Sequence, residues 1–176
     1  MVSDDDIALV TSGRWLVPLL AEMSADGSAR HAVLLRRLGL SRSALSRSIA
    51  ALEARGWLRR NPGHGHPLRP EYLLSEAGRP LAAWCEGVMA ARRRLGLEPD
   101  DLGRWSLPLA RRLDRRWKRF SVLEAELRPI TPRALSLALK GMMEVRLLER
   151  RLEAAFPPTA LYGLTGRGRS LARALA

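Results

Sequence analysis

The chain has 176 residues, with 30 Lys+Arg against 18 Asp+Glu and a formal net charge of +12. That length holds one domain or two small ones, and a hydrophobic fraction of 47% excludes global disorder. The single cysteine, Cys85, excludes a disulfide framework and a cysteine-cluster zinc site. No apolar run reaches the roughly 20 residues of a membrane span, and Asp4-Asp5-Asp6 stands where a secretory leader carries basic residues. The expectation is a soluble cytoplasmic protein with a polyanionic partner, nucleic acid first.

In chain order, Val10, Trp15, Leu16, Leu19, Leu20 and Met23 recur at helical spacing and predict a first helix. Asp26-Gly27-Ser28 reads as a loop. A short helix follows over 32–38, and Gly39 suits a turn at positive φ. Ser41 is a good N-cap for the next helix, whose Leu45, Ile49 and Leu52 form an inward stripe, and which stops near Gly56. Residues 57–60 read as a strand, 61–67 as a loop rich in Gly, Pro and His, and 68–74 as the returning strand. Ser75-Glu76 open a helix running to about residue 95, with Leu81, Trp84, Cys85, Val88 and Met89 as its apolar stripe.

The second half repeats the first at an offset of about 90 residues. Gly13-Arg14-Trp15 and Pro18-Leu19 recur as Gly103-Arg104-Trp105 and Pro108-Leu109. Ala44-Leu45-Ser46 meets Ala134-Leu135-Ser136, Tyr72 meets Tyr162, and Gly78-Arg79 meets Gly168-Arg169. Arg30 and Val33-Leu34 match Arg119 and Val122-Leu123 at one residue less, which implies two compensating single-residue indels in loops. The second copy therefore predicts helices over 105–113 and 122–127 and a turn at Arg128-Pro129. A helix capped by Thr131 follows, with Pro132 at its first position and Leu135, Leu139 and Met142 inward. A hairpin over 147–152 and 161–164 surrounds Pro157-Pro158. The fold class is mainly α with small β-hairpin wings, as two tandem winged helix-turn-helix domains over 1–95 and 96–176.

These residues resemble the HxlR-type branch of the MarR-like winged-helix transcriptional regulators. The resemblance covers nearly the whole chain. It rests on the two Gly-Arg-Trp signatures and on the wing pattern Pro67-Leu68-Arg69-Pro70-Glu71-Tyr72-Leu73-Leu74-Ser75-Glu76-Ala77-Gly78-Arg79-Pro80-Leu81. The second copy keeps Tyr162, Leu164, Thr165, Gly168 and Leu171 but has Thr159 and Leu161 where the wing arginine and glutamate stand. The resemblance implies bacterial transcription regulation through double-stranded DNA, by proteins that are usually one-domain homodimers. Two domains on one chain then suggest a pseudo-dimer, with the long helix ending near residue 95 as interface and linker. Further homodimerisation stays open. The N-terminal cysteine of redox-sensing relatives is absent, and Cys85 reads as a buried helix residue.

The recognition helices supply the base-reading candidates: Arg42, Ser43, Ser46 and Arg47 in the first copy, and Arg133, Ser136 and Lys140, with Leu137 among them, in the second. Wing and phosphate candidates are Arg59, Arg60, His64, His66 and Arg69, then the cluster Arg111, Arg112, Arg115, Arg116, Lys118 and Arg119. With Arg92-Arg93-Arg94, that cluster reads as a basic surface with little acidic relief. Residues 1–88 carry a net +2 and residues 89–176 a net +10, so specificity is expected from the first copy and electrostatic anchoring from the second.

His64-Gly65-His66 lacks a third ligand nearby, so no metal is expected, and no cofactor. No P-loop and no Ser/His/carboxylate set stands at informative spacing, so the reading is not an enzyme. Trp15, Trp84 and Trp105 read as core, and a small-molecule effector is left open. The rival reading is a tandem winged-helix scaffold of the chromosome-organising kind, binding protein rather than a DNA sequence. DNA binding implies association with the nucleoid.

Overall fold

The structure, a computed structural model, describes residues 2–61, 70–98, 100–114, 116–154 and 158–175. The chain divides into two compact units, Met1–Met89 and Ala90–Ala176.

The first unit begins with α1 (Asp4–Val10), held by a capping box in which Ser3 and Asp6 satisfy each other's backbone N–H groups. The stripe expected to run unbroken from Val10 to Met23 is interrupted. The chain turns through Gly13-Arg14-Trp15 and restarts as α2 (Leu16–Met23). Then come β1 (Ser28–Arg30), α3 (His31–Leu38), α4 (Arg42–Glu53), β2 (Leu58–Arg60), β3 (Glu71–Leu74) and the start of α5 (Gly78–Arg94). Leu19, Leu20, Met23, Leu34, Leu45, Ile49 and Leu52 are buried together with Leu58, Leu74 and Leu81. Each buried aliphatic side chain of this kind contributes roughly 1.5–3 kcal/mol relative to exposure.

The second unit repeats this plan with α6 (Ser106–Arg112), β4 (Lys118–Arg119), α7 (Phe120–Glu126), α8 (Pro132–Glu144), β5 (Leu148–Glu153), β6 (Thr159–Leu164), α9 (Gly166–Ala172) and a 3-10 turn, Arg173–Leu175. The cores correspond position by position. Leu109, Leu113, Leu135, Leu139, Met142, Leu148, Leu164 and Leu171 are all buried, 90 residues beyond their counterparts. Cys85 corresponds to Leu175, and both are buried core residues.

Each unit holds a three-stranded sheet rather than a bare hairpin, in the orders β1-β3-β2 and β4-β6-β5. The extra strands β1 and β4 are too short for any hydrophobic alternation to reveal them. The ladders place Leu58 opposite Leu74 and Leu148 opposite Leu164, an identical register. Ala29 pairs with Tyr72, and Lys118 pairs with Tyr162. The offset therefore falls to 89 on the first strand while staying 90 on its partner, as two compensating indels require. One indel lies between α2 and β1. The other lies in the helix-turn-helix turn, which is Gly39-Leu40 in the first unit and Arg128-Pro129-Ile130 in the second.

One hydroxyl joins the recognition helix to the last helix in each unit. Ser75 Oγ donates to the Gly56 carbonyl (2.6 Å) and accepts from the Gly78 N–H (3.0 Å). Thr165 Oγ1 donates to the Arg146 carbonyl (2.7 Å) and accepts from the Gly168 N–H (3.1 Å). Gly56 has φ +69°, and Arg146 holds the equivalent turn at φ 57°. A left-handed conformation costs a non-glycine residue about 1–2 kcal/mol, and glycine's larger unfolded-state entropy offsets part of that gain. Arg146→Gly is therefore expected to stabilise the second unit by about 1 kcal/mol or less, read as a raised urea midpoint. A lowered midpoint would show that the Arg146 side chain contributes more than the turn costs.

Candidate nucleic-acid interface

In the first unit α4 is built to present its N-terminal half. Ser41 Oγ accepts from the Ala44 N–H (3.2 Å) and starts the helix. Leu45, Ile49 and Leu52 fix the inward face, so Arg42, Ser43, Ser46 and Arg47 are left exposed on the other. The start of α4, the start of α3 and the base of the wing enclose an open groove of about 520 Å³. Arg30, His31, Arg42 and Pro70 are among its lining residues. The His31 N–H donates to the Pro70 carbonyl (3.0 Å), which ties the wing to α3. Arg30 and His31 are additions to the residues expected from sequence. A signal for Arg30 was present, because it is the repeat counterpart of Arg119.

The wing continues this face. Arg59 and Arg60 are exposed on β2, and Arg60 stands opposite Tyr72 in the ladder. Burial raises the Tyr72 phenol above its ordinary range, nearby Glu53 adds to the rise, and Arg60 opposes it. Asn61 closes the described end of the hairpin, donating from Nδ2 to Glu71 (2.7 Å) and from its backbone N–H to the Glu71 carbonyl (2.9 Å). His64, His66 and Arg69 lie outside the described residues.

The second unit presents the same helix face with different chemistry. Thr131 Oγ1 accepts from the Ala134 N–H (3.2 Å), and Arg133, Ser136, Leu137 and Lys140 are exposed. Lys140 Nζ lies 3.8 Å from Glu144 one turn on.

The expected basic cluster of this unit is not the unrelieved surface that the sequence suggests. Lys118, only 17% exposed at its side chain, reaches both oxygens of Glu126 (2.6 and 2.8 Å). Arg119 reaches Glu153 across the sheet (3.3 Å). Arg111 and Arg112 are half-buried on α6, whereas Arg116 is exposed; Arg115 lies outside the described residues. Arg92 is buried beside the acidic loop carrying Glu98, Asp100 and Asp101, and burial lowers its pKa against the opposing pull of those carboxylates. The relief is partly local, as for Lys118 and Arg92, and partly long-range, as for Arg119, which meets Glu153 34 residues on. Arg151, by contrast, lies over the Trp117 ring at 4.1 Å, a cation–π contact on the wing.

Both Gly-Arg-Trp signatures form the same local structure. Arg14 stacks over Trp15 at 4.9 Å and Arg104 over Trp105 at 5.2 Å. The carbonyls of Gly13 and Gly103 accept from the N–H groups of Leu16 and Ser106. Trp15, Trp84 and Trp105 are half-buried rather than fully in the core. Burial pushes the Cys85 thiol well above its ordinary range, so it is a poor nucleophile. Among the described residues no group of three His, Cys, Asp or Glu is arranged to hold a metal ion. No described helix is long and apolar enough to cross a membrane.

The chain is similar to a solved structure described as a MarR-family transcriptional regulator from Enterococcus faecalis V583. Identity is 31%, over 50% of this chain and 74% of that one, with a TM-score of 0.42. A second, described as a MarR-family regulator from Porphyromonas gingivalis W83, is 23% identical over 48% of this chain and 76% of that one, with a TM-score of 0.39. No curated protein matches the chain. The family model for the HxlR-like helix-turn-helix matches twice, over residues 10–94 and 102–176. With one match on each copy of the repeat, the chain belongs to the HxlR-like helix-turn-helix family, a family of DNA-binding transcriptional regulators, and carries its module twice.

Proposed function

We propose that this chain is a sequence-specific regulator that acts as a one-chain pseudo-dimer, its two winged helices reading two non-identical half-sites of double-stranded DNA. The observation that carries this reading is the pair α4 and α8. They share cap geometry, buried stripe and sheet register, so their exposed positions correspond one to one. The residues at those positions differ. Arg42, Ser43 and Arg47 correspond to Pro132, Arg133 and Leu137, and only Ser46 and Ser136 are alike. Each helix would place its exposed N-terminal residues in the major groove, where arginine pairs with guanine O6 and N7. Arg30, Arg59 and Arg60 in the first unit, and Arg116 in the second, would lie on phosphates. Binding to the nucleoid follows from this role.

The test is footprinting with the intact chain on duplexes it selects from a random library. The expected result is one chain protecting two major-groove segments of different sequence, about 10 base pairs apart centre to centre. Two chains per site with identical half-sites would replace this reading with a homodimer of the ordinary kind. A single protected segment would show that only one unit reads DNA.

A further inference from the structure

Leu137 is an aliphatic side chain on the face of α8 where a helix of this type is otherwise polar, and it is 61% exposed. Its repeat counterpart on α4 is Arg47, also exposed. Around Leu137, Arg133 and Lys140 occupy the same face one turn to either side, and Ser136 adjoins it. Lys140 lies 3.8 Å from Glu144, so Leu137 is the apolar centre of a face with a cation on either side. An exposed leucine flanked by cations and a hydroxyl suits one feature of the major groove in particular, the thymine C5-methyl, which offers apolar surface beside the phosphates.

We propose that Leu137 is a specificity-determining residue that reads a thymine methyl in the second half-site, at the place where Arg47 reads a guanine in the first. The operator is then asymmetric by chemistry as well as by sequence: hydrogen-bonded readout at one end, apolar readout at the other. This inference rests on the reading of α8 as a DNA-recognition helix.

Thymine and uracil differ by that methyl alone, which makes the test direct. A duplex selected from a random library by the intact chain is resynthesised with uracil replacing each thymine in turn. The expected result is a single position at which uracil weakens the parent chain about fourfold, the value of one buried methyl-sized group. Leu137→Ala is expected to bind the thymine and uracil duplexes equally. Leu137→Arg is expected to move the preference at that one position towards guanine. Leu137 is exposed, so both variants should keep the parent's thermal midpoint, and loss of fold would be visible separately. The proposal is overturned if every uracil substitution is neutral in the parent chain, which would leave this apolar face to a protein partner. It is equally overturned if the fourfold loss persists in Leu137→Ala. If the chain selects no duplex at all, the DNA-binding reading fails first and this inference falls with it.

Discussion

Replacing Gly168 with alanine is expected to destabilise the second unit strongly, and replacing Gly78 the first. A Cβ at Gly168 would lie 1.9 Å from the Leu147 carbonyl oxygen, and one at Gly78 would lie 2.1 Å from that of Trp57. Neither carbonyl is able to step aside cheaply. Leu147 O accepts the Thr165 N–H (3.1 Å) and Trp57 O the Ser75 N–H (3.0 Å), the bonds that join each sheet to its last helix. The added Cβ meets backbone atoms, so no side-chain rotamer relieves it. The expected cost is about 3 kcal/mol or more, at or above the upper end for overpacking. Urea denaturation followed by circular dichroism checks this on the intact chain, with Gly141→Ala as the control. Gly141 lies inside α8 with nothing within 4 Å of its added Cβ, so alanine there should stabilise by about 0.5–1 kcal/mol. A Gly168→Ala chain as stable as its parent would show that this helix start does not press on the strand.

Arg47→Ala is expected to weaken binding to the selected duplex by about 1–3 kcal/mol, roughly 5- to 150-fold, and to relax the preference at one base pair. Arg47 is exposed on the second turn of α4 and beside Ser46, on the face proposed to enter the major groove. Arg30→Ala, by contrast, is expected to weaken all duplexes alike and to reduce the slope of log affinity against log salt by about 1. Arg30 stands at the N-cap of α3, in the groove shared with Arg42 and Pro70, the position proposed for a phosphate contact. Titrations of point-varied duplexes at two salt concentrations separate the two effects. If Arg30→Ala changed the sequence preference and Arg47→Ala only the salt slope, the roles would be reversed.

The proposed division of labour, specificity in the first unit and electrostatic anchoring in the second, has to reckon with how the cations are placed. The net charges of the two halves are as counted, but Lys118, Arg119 and Lys140 have carboxylate neighbours within the second unit, and Arg92 is buried. An exposed ion pair stabilises by little, but it blunts the field that a phosphate would meet. The first unit, nearly neutral in total, assembles Arg30, Arg42, Arg47, Arg59 and Arg60 on its helix-turn-helix and wing. The second unit still leaves Arg104, Arg116, Arg128, Arg133, Arg150 and Arg151 exposed, so carboxylate neighbours temper its positive surface without removing it.

What the sequence determined by itself was local or periodic. The caps Ser41 and Thr131, the stripes Leu45-Ile49-Leu52 and Leu135-Leu139-Met142, and the turn at Gly39 are set within one or two helical turns. The repeat then carried the helix-turn-helix and the hairpin into the second half, including the indel in the helix-turn-helix turn. Only the tertiary structure decided that Arg119 meets Glu153, that β1 and β4 complete the sheets, and why Gly78 and Gly168 admit no side chain. The reason is separation along the chain. Arg119 meets Glu153, Lys118 pairs with Tyr162, and Gly168 packs on Leu147 across 20 to 45 residues. No periodicity encodes such a meeting, because it arises from how already-formed elements pack against one another.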